Sequence, residues 1–422
     1  MSGGAAPAER AARGEGGPGS GGAGSGALSA SRRSTLLGAL FLMATSAIGP
    51  GFITQTTTFT AALGAAFAFA ILVSVLLDVA VQLNVWRVVG VSGLRAQELG
   101  NRLLPGVGHA LAALVVLGGL VFNVGNVAGG GLGLDALLGL DPRLGGALTA
   151  LVAVGIFLSR RAGVALDRVV VALGVVMIAL TAYVAVVSDP PVGDALRQTV
   201  LPERVDVLAI TTLVGGTVGG YIVYAGAHRL LDSGVSGVGA VREITRTSVV
   251  GILVTAVMRA LLFLAVLGVV AGGAALAEDN PAASAFEVAA GEVGLRVFGV
   301  VLWAAAVTSV IGASYTSVSF LTTSSAAMAR RRGLLTAGFI AVSTAVYLLA
   351  GQAPVSLLVF AGAFNGVVLP LGFTVVLWVA WRRRDLLGGY SYPRWLLAVG
   401  VLAWAVALFL GASSLTRLGE LW

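Results

Sequence analysis

Residues 45–64 read TSAIGPGFITQTTTFTAALG, with Gly49-Pro50-Gly51 followed by Thr54, Gln55, Thr56, Thr57, Thr58 and Thr60. The stretch lies inside a longer apolar run, residues 35–63, enough to cross a ~30 Å hydrocarbon core, which takes about 20 residues of helix. A helix in lipid satisfies its own backbone, and irregular backbone survives at membrane depth only where it is buried or lines a cavity. Because the polar run goes round nearly two helical turns, no single protein-facing stripe holds all six side chains. The segment is therefore predicted to be a span broken at Gly49-Pro50-Gly51, with Thr54–Thr60 locally unwound as one wall of a cavity.

The whole chain supports a membrane setting. Of its 422 residues 57% are hydrophobic and only 11% charged, against roughly 25% charged in soluble domains, and the mean hydropathy is +0.97. With no cysteine, thiolate metal sites, disulfides and cysteine nucleophiles are excluded. Residues 1–34 are mostly Gly, Ala, Ser and Arg without an apolar run, and are predicted to be a disordered cytoplasmic tail rather than a cleavable signal peptide.

Apolar runs fall at about 35–63, 65–91, 106–134, 144–160, 165–188, 207–228, 246–276, 294–325, 333–351, 355–381 and 393–413, giving eleven predicted spans. With the N-terminus inside, 20 of the 26 arginines lie in the tail or in cytoplasmic segments. This satisfies the positive-inside rule, predicts a multi-pass protein with a cytoplasmic N-terminus, and removes the nucleic-acid reading of the +7 net charge. Arg143, Arg197, Arg204, Arg296 and Arg417 fall outside these segments, and Arg259 lies within a span. The external segments, which lean acidic, are predicted to be solvated loops.

The sixth span repeats the anomaly in LVGGTVGGYIVYAGAHRLLD, with Gly215, Gly216, Gly219, Gly220 and Gly226 within twelve residues. Each interior Gly costs about 1 kcal/mol relative to Ala in a helix, so the segment is either an opened backbone or a close helix contact through small residues. It is not a phosphate loop, since no strand precedes it and no Gly-Lys-Ser/Thr follows. No cofactor is expected. Spans one and six are each the first of five, giving halves over 35–188 and 207–384 and an eleventh helix within 385–422. Paired broken helices at matching positions point to an inverted-repeat secondary transporter with its site at the bilayer midplane.

On these residues, with the Gly-Pro of span one and the Leu-Val-Gly-Gly-Thr-Val of span six as the most specific pieces, the chain resembles the NRAMP (natural resistance-associated macrophage protein) family of divalent-metal transporters. The resemblance implies an all-α, leucine-transporter-like five-plus-five inverted repeat, alternating access, and proton-driven uptake of manganese or iron. It departs at the site: the Thr-Gln run stands where the family keeps Asp-Pro-Gly-Asn, and Gly219, Gly220 and Tyr221 where it keeps Met-Pro-His. Manganese and iron favour carboxylate, imidazole or thioether ligands, whereas neutral hydroxyls, an amide and a half-helix N-terminus suit a solute bearing its own carboxylate. Two substrate classes stay open, a divalent metal ion and a small organic acid, each moving with a proton or sodium ion. The substrate-binding candidates are Thr54, Gln55, Thr56, Thr57, Gly216, Gly219, Gly220 and Tyr221, and Phe59 could help Tyr221 close over an apolar portion.

Other polar groups lie at membrane depth. Asp78 sits where a charge costs about 2.5–3.5 kcal/mol or more; it is read as protonated, paired with Arg259, or relaying a proton. Asn123, Asn126 and Asn365 either tie helices together or line a pathway. Thr308 and Ser309 are a candidate sodium site by analogy with leucine-transporter-like symporters, back-bonding within the helix being the alternative. His228, with Arg229 and Asp232, either caps the sixth span or gates it. Pro370 is expected to kink the tenth span. Neither paired catalytic carboxylates nor a nucleophile elbow is present, which argues against an enzyme.

Overall fold

The computed structural model describes residues 49–321 and 326–419. The predicted tail (1–34), the first part of span one (35–48) and the side chains of Arg160, Arg161, Arg168 and Arg330 lie outside the described residues.

Helices account for every described element, and no strand occurs among the described residues. In chain order they are α1 (Pro50–Leu63), α2 (Phe67–Ser92), α3 (Ala96–Leu103), α4 (Val107–Leu138), α5 (Pro142–Leu158), α6 (Arg160–Val187), α7 (Val192–Val200), α8 (Val207–Val218), α9 (Ile222–Asp232), α10 (Val241–Ala271), α11 (Pro281–Leu321), α12 (Ala326–Ala350), α13 (Pro354–Arg382) and α14 (Arg394–Leu418). Short-range chemistry sets several of these ends. Pro50 takes the first position of α1 after an extended Gly49 (φ −89°, ψ −178°), where a missing N–H costs nothing. The carboxylate of Asp141 accepts from the N–H groups of Arg143 and Leu144 at the start of α5, and that of Asp206 from Ala209 N–H at the start of α8. Left-handed glycines close α2 and α4, at Gly93 (φ 66°) and Gly139 (φ 70°).

Eight helical runs are long and apolar enough to cross a membrane, and a ninth if α6 and α7, bent by 104°, count as one. One of the eight, Pro50–Ser92, is 43 residues, or about 65 Å at 1.5 Å per residue, twice what a bilayer needs; it is divided at Gly64 (φ 57°, ψ −139°). With this division, α6 and the shorter apolar α5, helix occupies each of the eleven predicted spans. Hydropathy missed two amphipathic helices between the spans: α7, in an external segment expected to be a solvated loop, and α3, in the segment of Arg95 and Arg102 expected to face the cytoplasm.

The Thr54–Thr60 segment corrects the sequence reading: it is helical, not unwound. Three of its five hydroxyls turn back onto their own helix, while Thr58 Oγ1 has no partner among the described residues. Thr56 Oγ1 donates to Phe52 O (2.7 Å), Thr57 Oγ1 to Ile53 O (3.0 Å) and Thr60 Oγ1 to Thr56 O (2.6 Å). This i−4 bonding satisfies these three hydroxyls locally, so most of the polar run sits in a helix without a cavity to serve it. Protein also packs around most of α1, for Thr54, Gln55, Thr56, Thr57 and Thr60 are all buried, with Thr58 half-buried and Ala61 and Ala62 exposed.

At span six the opened backbone and close packing both occur. Gly215 and Gly216 belong to α8, where side chains would strike Gly362 O of α13 and Gln55 Oε1 of α1. Their role is close approach. Gly219 and Gly220 carry the break. Long α4 runs past these helices, makes its most extensive contact with α11, and meets Pro50 at Gly129. Helix α13 continues through Pro370, whose carbonyl accepts from Thr374 Oγ1 and from Trp404 Nε1 of α14.

Candidate functional site

Helix α8 stops at Val218, Gly219 turns the chain (φ −52°, ψ 173°), and α9 restarts at Ile222 without a side-chain cap. The opened backbone leans on α13, where Gly220 N–H donates to Asn365 O (3.0 Å). Asn365 is itself fixed by Nδ2 bonds to Gly118 O (3.1 Å) and Ala361 O (2.9 Å). A Cβ on Gly219 would lie 2.7 Å from Asn365 Cβ, and one on Gly220 2.8 Å from Val368 Cγ1. Tyr221, at the restart, is buried; its ring tilts against Phe122 (centroids 6.1 Å apart) and its hydroxyl reaches Ala313 O (3.4 Å).

A cavity of about 80 Å³ begins at this break. Thr217, Tyr221 and Ile222 form its inner end, and it extends along α9 to Arg229, with Trp86 and Gln82 of α2, Phe122 of α4, Thr255 of α10 and Ser309 of α11 on its sides. Trp86 is held in place by donating from Nε1 to Val223 O (3.0 Å), and Gln82 by donating from Nε2 to Ser248 O (2.9 Å). No acid lines this cavity among the described residues, and its one charged lining residue is Arg229.

Behind Thr217 lies a second polar cluster. Arg259 is 1% exposed, donates from Nη2 to Thr217 Oγ1 (3.0 Å), and stacks over the Phe52 ring 4.5 Å from its centroid. Asp78, also 1% exposed, lies within electrostatic reach of Arg259 and Thr217, but neither carboxylate oxygen has a hydrogen-bond partner among the described residues. The direct ion pair offered by the sequence does not form. Thr217, the last hydroxyl before the break, therefore stands between a buried guanidinium and the cavity.

The structure divides the sequence candidates. Tyr221 lines the cavity, whereas Gly219 and Gly220 form the break beside it. Gln55 packs at the junction of α1, α8 and α13, facing Gly216 and donating from Nε2 to Leu358 O (2.9 Å), while its Oε1 has no partner among the described residues. Thr54, Thr56, Thr57 and Phe59 are buried within α1 and do not line the cavity. Ser309 does line it, but Thr308 turns to Ala304 O and Ala305 O of its own helix. Asn123 Nδ2 bridges to Ser314 and Ser343 (3.0 Å each), joining α4 to α11 and α12. Asn126 is buried with its Nδ2 unpaired among the described residues. His228 accepts from Ala96 N–H (3.2 Å) and stacks on Phe320 (4.1 Å), while Asp232 pairs with Arg95 (3.2 Å). These contacts tie α3 and α11 to the end of α9.

Sequence reasoning missed Gln82, Trp86, Phe122 and Thr255 as cavity residues and grouped Arg229 with the helix end. One signal was available: Gln82 follows Asp78 by four residues, so both belong to one polar face of α2. Among the described residues no group of three or more His, Cys, Asp or Glu side chains is placed to hold a metal ion.

The family model "Natural resistance-associated macrophage protein-like" matches residues 40–417. An uncharacterized membrane protein of Bacillus subtilis (strain 168), YcsG, is 52% identical over 390 residues, 92% of this chain and 96% of the relative. In fold the chain is similar to a mutant of the Eremococcus coleocola manganese transporter, with a TM-score of 0.66, 19% identity, and coverage of 91% of this chain and 87% of that one. It is similar also to MhsT in complex with L-phenylalanine, with a TM-score of 0.63, 17% identity, and coverage of 90% and 98%. The leucine-transporter-like five-plus-five inverted repeat expected from the sequence is thus the fold of this chain. The family match spans nearly all of the described residues, and the chain belongs to the Nramp family of membrane transport proteins.

Proposed function

We propose that the protein is a secondary active transporter that carries a small solute across a bacterial plasma membrane by alternating access, coupled to a proton or sodium gradient. One observation carries this reading: the sixth span breaks at Gly219–Tyr221 beside a cavity that Thr217 and Tyr221 line and four other spans wall. A broken helix at the midplane supplies unpaired backbone groups to a solute while the bundle around it rocks. Family membership supports a divalent metal ion as the solute, and the fold relative from Eremococcus coleocola is a manganese transporter. The cavity's hydroxyls, amide and guanidinium support a second class, a small organic acid. The arginine distribution supports a cytoplasmic N-terminus.

The test is uptake into proteoliposomes under imposed proton and sodium gradients, with radiolabelled manganese and a panel of small carboxylates offered separately. Accumulation of at least one solute above the level reached without a gradient is expected, together with its loss in Tyr221→Ala. No gradient-driven uptake and no exchange for any solute would refute transport.

A further inference from the structure

The cavity at the break has the chemistry of an anion site. Arg229 lines it from the last turn of α9, eight residues beyond Tyr221, and eight residues of helix span about 12 Å. Its guanidinium packs against α11, where a Cβ on Gly312 would lie 3.2 Å from Nη2. Its backbone carbonyl accepts from Ser233 N–H (3.0 Å), but its guanidinium makes no hydrogen bond or ion pair with any described residue. Its neighbour Asp232 is instead engaged by Arg95 (3.2 Å). At the opposite end α9 begins at the cavity, uncapped by any side chain, and a helix N-terminus favours negative charge. Between these ends stand the hydroxyls of Thr217, Thr255 and Ser309 and the faces of Trp86, Phe122 and Tyr221.

Among the described residues, a divalent cation entering this space meets a guanidinium and no carboxylate, imidazole or thioether, the ligands that manganese and iron prefer. A monocarboxylate with a small apolar body meets a planar donor fork, hydroxyl donors and aromatic walls. We propose that Arg229 binds the carboxylate of a small organic acid in this cavity, with the apolar portion of the solute against Trp86, Phe122 and Tyr221. The proposal rests on the transporter reading and names its substrate class.

Equilibrium binding to the full-length protein in nanodiscs tests it, with radiolabelled pyruvate, lactate and benzoate in one set and manganese in another. Saturable binding of at least one acid is expected, unaffected by excess manganese. Arg229→Gln should weaken it by about tenfold or more, the loss of one charge-assisted hydrogen bond, and Arg229→Lys should restore part of it. Thermal unfolding of both variants shows that they are folded. No binding of any acid, or binding unchanged in folded Arg229→Gln, overturns the proposal. Gradient-driven manganese uptake with no binding of any acid overturns it while leaving the transporter reading intact. Binding of an acid that depends on Arg229, without uptake of any solute, supports the site and removes the transporter reading instead.

Discussion

Replacing Arg259 with methionine removes a buried cation while keeping most of the side-chain volume. The direct losses are a charge-assisted hydrogen bond to Thr217 (3.0 Å), about 1.5–3 kcal/mol, and the stacking over Phe52 (4.5 Å), about 2 kcal/mol where desolvated. A buried thioether side chain returns roughly 1.5–3 kcal/mol, so these terms nearly cancel. The deciding effect is on Asp78, which is 1% exposed and has Arg259 as its cationic neighbour. Removing one member of a buried charged pair costs about 3–5 kcal/mol, and replacing both is close to neutral. Since Asp78 and Arg259 make no direct ion pair, the expected cost is lower, about 2 kcal/mol for Arg259→Met and a similar amount for Asp78→Asn. The double variant should recover at least about 1 kcal/mol relative to the sum of the single effects. Unfolding in mixed micelles, followed by the fluorescence of the seven tryptophans, measures all three. If the single effects add to within about 0.5 kcal/mol, the two groups are uncoupled and the compensated-pair account is wrong.

Three further expectations follow from particular contacts. Gly215→Ala should destabilise by about 1–3 kcal/mol, because its Cβ strikes Gly362 O, whereas Gly155→Ala, with open space around it, should stabilise by up to about 1 kcal/mol; the same unfolding assay measures both. Gln55→Ala removes the buried bond to Leu358 O and should cost about 1–3 kcal/mol; a loss of transport at unchanged stability would instead assign Gln55 a direct solute contact. Outside the membrane, Arg383 donates to Asp385 (2.8 Å) and holds its carboxyl below the usual carboxylate range. The stability this supplies is present above the unfolded-state value, about pH 4, and is lost as pH falls through the lower folded-state value. Asp385→Asn should therefore flatten the acid limb of a melting-temperature profile.

Much of the architecture could be read from the sequence, because lipid imposes length and apolarity on every span. The weakness of span six was legible too, since five glycines in twelve residues disfavour a continuous helix; which of them open the backbone and which only pack closely was not, because all four of Gly215, Gly216, Gly219 and Gly220 are closely packed. Span one misled beyond Pro50. A threonine can hide its hydroxyl on the carbonyl four residues back, so Thr56, Thr57 and Thr60 look like cavity residues in sequence and behave as packing residues in the structure. The amphipathic helices α3 and α7 escaped because hydropathy averages out the two faces of a short helix. Arg229 could not be recognised as a cavity residue, because α9 and α11 define that space only once they are packed together.

If the cavity at Gly219–Tyr221 is the path of a transported solute, side-directed thiol labelling will follow it. The natural chain contains no cysteine, so Ala225→Cys, on the cavity wall, introduces a single reactive thiol. With a membrane-impermeant reagent applied to oriented vesicles, the account predicts labelling from one side at rest, slowed by the transported solute and shifted toward the other side by the coupling gradient. Labelling that is absent from both sides, or indifferent to every solute and gradient that supports uptake, would contradict it.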